Sequence, residues 1–426
     1  MEKQIKESEN ASSRDFVKER IKARPINKSK LVRKSLGTIL SSVIFGIVFC
    51  LCFLLLEPRI DKMLHKDDEQ VQFIEFPEDT EEDEMLPENM LTDEQTQTDA
   101  IDDILDIKDY QDLQNALSKI ADKARRSVVS VTGTTTEENW FENSYENKSF
   151  SAGVVVGDNG LEYLILVKVS SLNMAENIVV VFYNEKQAGA TIKQVDVQSG
   201  YGVVAVKKEH LSEVDKENIA VATLGSSNLS TILGKPVIAL GNPMGTGSGI
   251  CYGNVTSVGK PVSLVDSYYK LMTTDIYGST QASGVLVNMS GHVIGIIDNS
   301  FNTSDIKNIV SALGISEMKP LIQNLSNDLP IPYLGMQGVS VTTSVNMRYG
   351  VPFGAYVTSV ELDSPAMHGG LQAGDVITEF DGKQIKTIGD LVEAILDCTK
   401  DKTVKMKVER EAHGGYTDMT IKVTLK

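Results

Sequence analysis

Between Val128 and Ile296 the chain repeats one device, a run of four to six apolar, mostly β-branched residues closed off by Gly, Asn, Ser or Asp. The runs include Val128–Val131, Gly153–Val156, Tyr163–Val167, Ile178–Val181, Val203–Val206, Pro236–Leu240, Gly284–Val287 and His292–Ile296. β-Branched side chains suit a pleated surface, and segments this short cannot sustain helices, so the pattern demands antiparallel strands joined by turns. About two hundred residues of such strands suit a sandwich or a double barrel. An amphipathic helix is expected ahead of them, at about 109–126.

The segments before the strands separate by charge. The chain has 426 residues and a formal net charge of −17, and it is too long for one ordinary domain. Residues 1–35 hold eleven Lys/Arg against five Asp/Glu, whereas residues 67–106 hold no base against seventeen acids. Between them, Leu36 to Leu56 are twenty-one residues without a charge. As a helix that run is about 31 Å long at 1.5 Å per residue, which matches a hydrocarbon core of roughly 30 Å. It is too long for a cleaved leader, and no small-residue cleavage site precedes Glu57, so an uncleaved transmembrane helix is expected. Basic flanks stay cytoplasmic, which makes this a single-pass protein of the cell membrane with residues 57–426 outside the cytoplasm.

The acidic segment carries Glu81-Glu82-Asp83-Glu84 and two prolines, Pro77 and Pro87, with few large apolar residues. It cannot bury enough surface to offset its ordering entropy, so residues 57–106 are expected to be a disordered linker. Acidity on this scale argues against nucleic acid as a partner. Cys50, Cys52, Cys251 and Cys398 imply no disulfide framework, and neither they nor the five scattered histidines show metal-ligand spacing, so no metal and no cofactor are expected.

The residues from Lys235 to Gly245, KPVIALGNPMG, followed by Gly253-Asn254-Val255-Thr256-Ser257-Val258, resemble the second barrel of the HtrA (DegP-like) branch of trypsin-like serine proteases. The likeness continues through Gly284–Ile296 and back to Ala124–Gly133, covering nearly all of 110–325. After it, Tyr333-Leu334-Gly335-Met336, Ser364-Pro365-Ala366, Gly370–Ile377 and Asp381-Gly382-Lys383 resemble the PDZ domain that this family carries behind its protease domain, with a helix at about Asp390 to Cys398. The resemblance implies a mainly β fold: a trypsin-like double β-barrel over 107–328 and a PDZ domain over 329–426. Ahead of these stand a basic cytoplasmic arm (1–35), a transmembrane helix (36–56) and the acidic linker (57–106).

The family's chemistry needs a serine nucleophile, a histidine base, an orienting carboxylate and backbone donors for an oxyanion. Its histidine sits in T-N-x-H-V, its acid in D-L-A-V and its serine in G-N-S-G-G. The matching positions here are Ser170, Gly200 and Ala282, so no member of the triad is present. Ser283-Gly284 imitates the serine-glycine step, but no histidine is suitably placed to serve Ser283: His65 adjoins the membrane run, His210 and His292 lie elsewhere in the barrels, and His368 and His413 are in the PDZ stretch. Asp196 is expected as a solvated turn residue. Thr280 replaces the first glycine of the oxyanion turn.

What the resemblance leaves is binding. Tyr333, Leu334, Gly335 and Met336 correspond to the loop whose N–H groups receive a peptide's C-terminal carboxylate while the peptide adds a strand to a sheet edge. Trp140, Phe141 and Tyr145 form an aromatic group either for local packing or, as the resemblance implies, for a homo- or hetero-oligomer, a trimer in this family. The expectation is a membrane-anchored pseudoprotease that binds protein C-termini or unfolded envelope polypeptides and modulates an active relative. An active endopeptidase with displaced groups and an envelope stress sensor or scaffold are the alternatives.

Overall fold

The computed structural model describes residues 71–77, 107–138, 144–172, 175, 177–228, 232–413 and 415–426. The basic arm, the apolar run 36–56, His65, Trp140 and Phe141 lie outside the described residues, as does the side chain of Tyr145. Among the described residues no helix is long and apolar enough to cross a membrane.

Helix α1 (Ile107–Ala124) leads into a closed six-stranded barrel of β1 (Val128–Glu138), β2 (Ser144–Asp158), β3 (Glu162–Lys168), β4 (Asn177–Val181), β5 (Gln187–Val195) and β6 (Tyr201–Lys207), in the order β1-β2-β3-β6-β5-β4. After the short helix α2 (Glu213–Asn218) comes a second barrel of β7 (Pro236–Asn242), β8 (Gly249–Leu264), β9 (Ser267–Tyr277), β10 (Ser283–Val287), β11 (Val293–Asp298) and β12 (Ile309–Gly314), ordered β10-β11-β12-β9-β8-β7. The apolar runs are continuous rather than alternating because both faces of these strands are buried. On β3, Tyr163, Ile165 and Val167 point into the first barrel, while Leu164 and Leu166 join Ile238, Leu240 and Val285 in a core between the barrels. On β7, Val237 and Ala239 fill the second barrel. Helix α3 (Ile315–Ser326) closes the inter-barrel core with Ile315, Met318, Leu321, Ile322 and Leu325.

The third unit is an antiparallel sheet of β13 (Met336–Ser340), β14 (Ala355–Val360), β15 (Val376–Phe380), β17 (Thr403–Ala412) and β18 (Gly415–Thr424), with β16 (Lys383–Gln384) paired to β15. Strand β13 is its edge. Helices α4 (Thr343–Tyr349), α5 (Pro365–Gly369) and α6 (Ile388–Leu396) complete it. Helix α6 starts where Thr387 and Asp390 form a reciprocal capping box, two residues earlier than the expected start at about Asp390.

One expectation fails in part. The acidic linker was to be disordered throughout, yet Val71–Pro77 lies extended along the barrels. The Asn327 amide grips Ile74 as a neighbouring strand would, accepting from its N–H at 2.8 Å and donating to its carbonyl at 2.7 Å. Gln72 donates to the Asn159 carbonyl at 3.0 Å. Ile74 and Phe76 pack on the inter-barrel core. Averaged over forty residues the segment is too polar to order, but Val71-Gln72-Phe73-Ile74-Glu75-Phe76 concentrates its apolar residues, and its backbone groups find partners. The other residues of the linker lie outside those described.

Candidate functional site

Two places follow from the sequence reading, the cleft of the barrels and the loop before β13. Beside the cleft, Ser170 lies within the short turn Val169–Leu172 after β3 and Gly200 precedes β6. The Ser170 N–H donates to the Gly200 carbonyl at 3.2 Å, and a Cβ on Gly200 would lie 2.6 Å from Ser170 Oγ. The two positions are therefore in contact, they hold a hydroxyl and a hydrogen, and the φ of 75° at Gly200 would strain any side chain there. Ala282 is buried and lies with Thr280, Gln281 and Ser283 on a cavity of about 420 Å³, which Lys168 and Tyr201 line from the first barrel. None of the described histidines lines that cavity.

The turn that would supply oxyanion donors is spent on itself. The Ala282 N–H donates to the Ser279 carbonyl at 3.0 Å, and the Asn299 amide donates to the same oxygen at 2.7 Å. Thr280 avoids positive φ, the region a β-branched residue resists. Ser283 Oγ accepts from the Ala152 N–H at 3.0 Å, so its hydroxyl is tied to β2. The glycine after it is required by the backbone: at Gly284, with φ of 133°, a Cβ would lie 2.0 Å from the Leu240 carbonyl oxygen. Glycines 241 and 284 face each other across β7 and β10.

A polar bridge crosses the cleft, and the sequence reading missed it. Lys168 Nζ pairs with Asp298 Oδ2 at 2.6 Å and donates to Ser300 Oγ at 3.0 Å; the Tyr201 hydroxyl donates to Asp298 Oδ2 at 3.0 Å. Burial, followed by the Asp298 charge and its hydrogen bond, pushes the Tyr201 phenol well above its ordinary range. Lys168 and Tyr201 belong to the first barrel, Asp298 and Ser300 to the second. The available signal was a lysine breaking the apolar run Leu164–Val169. Asp196, expected as solvated, is buried: its carboxylate accepts from the Gln198 and Ser199 N–H groups, both at 3.1 Å, so it closes its own turn.

The loop before β13 has its donors in place. Gly335 has φ of 89°, and a Cβ there would lie 2.2 Å from Ser364 Cβ, so only glycine lets the backbone turn its amides outward. The N–H groups of Leu334, Gly335 and Met336 converge on one carboxylate, that of Asp266. Oδ2 accepts from Leu334 and Gly335, each at 2.7 Å, and Oδ1 from Gly335 at 2.9 Å and Met336 at 3.0 Å. Tyr333 bonds through its backbone to Lys426 and offers no N–H to that carboxylate. Asp266 stands at the tip of the β8–β9 hairpin with φ of 51°. Burial raises its carboxyl to about 6, outweighing the three backbone N–H groups that lower it; the nearby Asp196 charge adds to the rise. The sequence reading missed Asp266, since nothing local marks it as a partner of residues 68 to 70 positions away. Among the described residues no group of three His, Cys, Asp or Glu could hold a metal ion.

Comparison with known proteins agrees with this geometry. Residues 151–296 match the family model of the trypsin-like peptidase domain, and residues 332–425 that of the PDZ domain. A probable periplasmic serine endoprotease DegP-like protein of Halomonas elongata is 26% identical over 286 residues, covering 66% of this chain and 57% of that protein. An HtrA-like serine protease of Staphylococcus epidermidis is 26% identical over 333 residues, covering 72% of this chain and 54% of its own. The chain thus spans a little over half the length of these relatives. The solved HtrA-type protease AlgW with decapeptide superposes with a TM-score of 0.50 at 19% identity, over 74% of this chain and 98% of that one; this likeness establishes the shared fold.

Proposed function

We propose that this chain, an HtrA-like protein with a trypsin-like peptidase domain and one PDZ domain, is a membrane-anchored pseudoprotease that binds polypeptides without cleaving them. The observation that carries the reading is the contact between Ser170 and Gly200. The two positions adjoin, neither holds a base or an acid, and Gly200, at a φ of 75°, would strain any side chain placed there. Two features add to it: Ala282 has no nucleophilic atom, and its N–H is committed to Ser279. Removal of a triad alone leaves about 10³–10⁴ of acceleration through oxyanion donors and binding. With that donor engaged inside its own turn, the residual source is reduced as well.

Binding falls to the PDZ domain, whose loop amides already hold a carboxylate. Its ligands are protein C-termini or unfolded envelope polypeptides, and mixed assembly with an active relative is the route to a regulatory effect. The anchor rests on the uncharged run 36–56 and the basic residues before it. The test is hydrolysis of fluorogenic casein by the purified chain and its Ser283→Ala variant. The expected result is no release above the buffer blank from either. Turnover that Ser283→Ala abolishes would mean an active endopeptidase.

A further inference from the structure

The β8–β9 hairpin is longer than its barrel needs. Strand β8 has sixteen residues, and the tip reaches the loop before β13. Besides the carboxylate of Asp266 in the loop, the Asp266 N–H donates to the Met336 carbonyl at 2.8 Å. Two further bonds run to the edge strand β13: Ser263 Oγ donates to the Gly338 carbonyl at 2.8 Å and accepts from the Gly338 N–H at 3.2 Å. These are backbone groups that an added strand would use. Val265 of the tip and Val392 and Leu396 of α6 line one cavity of about 220 Å³ with Asp266, and Tyr268 packs on the PDZ core.

We infer that Asp266 is the resident ligand of the PDZ loop: its side chain takes the place of a peptide's C-terminal carboxylate, and a free C-terminus binds only after the hairpin tip withdraws. The inference rests on the reading of the loop as a peptide site. A simple domain contact would not need three converging amides, an edge-strand carbonyl and a carboxylate in one arrangement. Competition follows because the loop has one set of donors, and two carboxylates cannot share it.

The experiment uses the full chain with two readouts. One is binding of a decapeptide library, randomised at its last four positions, with free C-terminal carboxylates or with amidated ends. The other is amide hydrogen exchange at Leu334–Met336. Asp266→Asn keeps the shape of the tip but sets an NH2 donor against the loop N–H groups in place of one acceptor oxygen, whereas Ser263→Ala loosens the flank alone. Asp266→Asn should strengthen binding of the free-carboxylate library at least tenfold, leave the amidated library unchanged, and speed exchange at Leu334–Met336 while α6 and β17 stay protected. Ser263→Ala should do the same by a smaller factor. If Asp266→Asn keeps the protection of α6 and β17 and neither the loop exchange nor free-carboxylate binding changes, the inference is overturned. Faster exchange without binding of either library would uphold the occupied loop and instead refute the peptide-binding function. Should Asp266→Asn lose protection throughout the PDZ domain, Ser263→Ala decides on the same two readouts.

Discussion

The barrel cleft and the PDZ loop are opposite cases. At the cleft the strands are in place, and the positions we read as the triad carry no reactive group: Ser170 and Gly200 touch, with Gly200 at a φ of 75°. In the loop three N–H donors converge, but the chain's own Asp266 fills it. The first difference is a change of side chains, which folding barely notices, since a serine, a glycine and an alanine fit without strain. The second is a change of access, made by a hairpin that leaves the loop's chemistry untouched. A cleft of the first kind needs new side chains and a different backbone at position 200 to work, while a loop of the second kind needs only movement.

If the strands at the cleft are a preserved frame, their backbone should be far less tolerant than the positions we read as the triad. Gly284→Ala is the strongest test, because its Cβ would meet the Leu240 carbonyl at 2.0 Å in a conformation that L-residues resist. We expect a loss of about 4 kcal/mol or more, or failure to fold, against less than about 1 kcal/mol for Ala282→Ser; urea unfolding checks both. The bridge across the cleft comes next. Asp298→Ala strands Lys168 and Tyr201 and should cost about 2–4 kcal/mol, the lower part of that range reflecting the partial exposure of Lys168. Replacing the pair together, Lys168→Met with Asp298→Leu, should recover most of the loss. Equal destabilisation by the single and the double variant would show that the ion pair is not what joins the barrels there.

The sequence made the cleft legible and left the loop's occupant hidden, for a physical reason. Strand runs such as Tyr163–Val167 are written in consecutive residues, and the positions we read as the triad are flanked by residues that resemble the family's. The strands outside the predicted runs, β5 and β9 among them, mix Lys, Gln and Thr into their apolar residues because one face meets solvent. Asp196 and Asp266 were less legible still. Both are acids in turns, where an acid is ordinarily solvated, and only contacts made across the fold bury them. The docked Val71–Pro77 segment was hidden differently, its short apolar pattern diluted by the acids that follow it.

The smallest effect concerns pH, and it separates the two sites because Ser170, Gly200 and Ala282 hold no group that titrates in this range. In the closed loop the Asp266 carboxyl is raised to about 6, against an ordinary 3.8, chiefly by burial. A carboxyl raised in the closed state takes up a proton as the loop closes, so acid favours the closed form and opening becomes easier as pH rises through 6. The intuition that protonation should release a carboxylate from its amides has the opposite sign; it fails here because desolvation outweighs the hydrogen bonds. The groups sharing its cavity are Asp196 from the β5–β6 turn, Tyr269 on β9, Glu317 on α3 and Tyr333, with Lys270 paired to Glu317 at 2.6 Å. Burial holds both tyrosines above their ordinary range, so neither ionises in this window. Binding of free-carboxylate peptides should therefore strengthen about tenfold between pH 5 and 7.5 in the wild type and stay level in Asp266→Asn. A profile that is level in both, or that rises equally in both, would assign the pH response to a group other than the one occupying the loop.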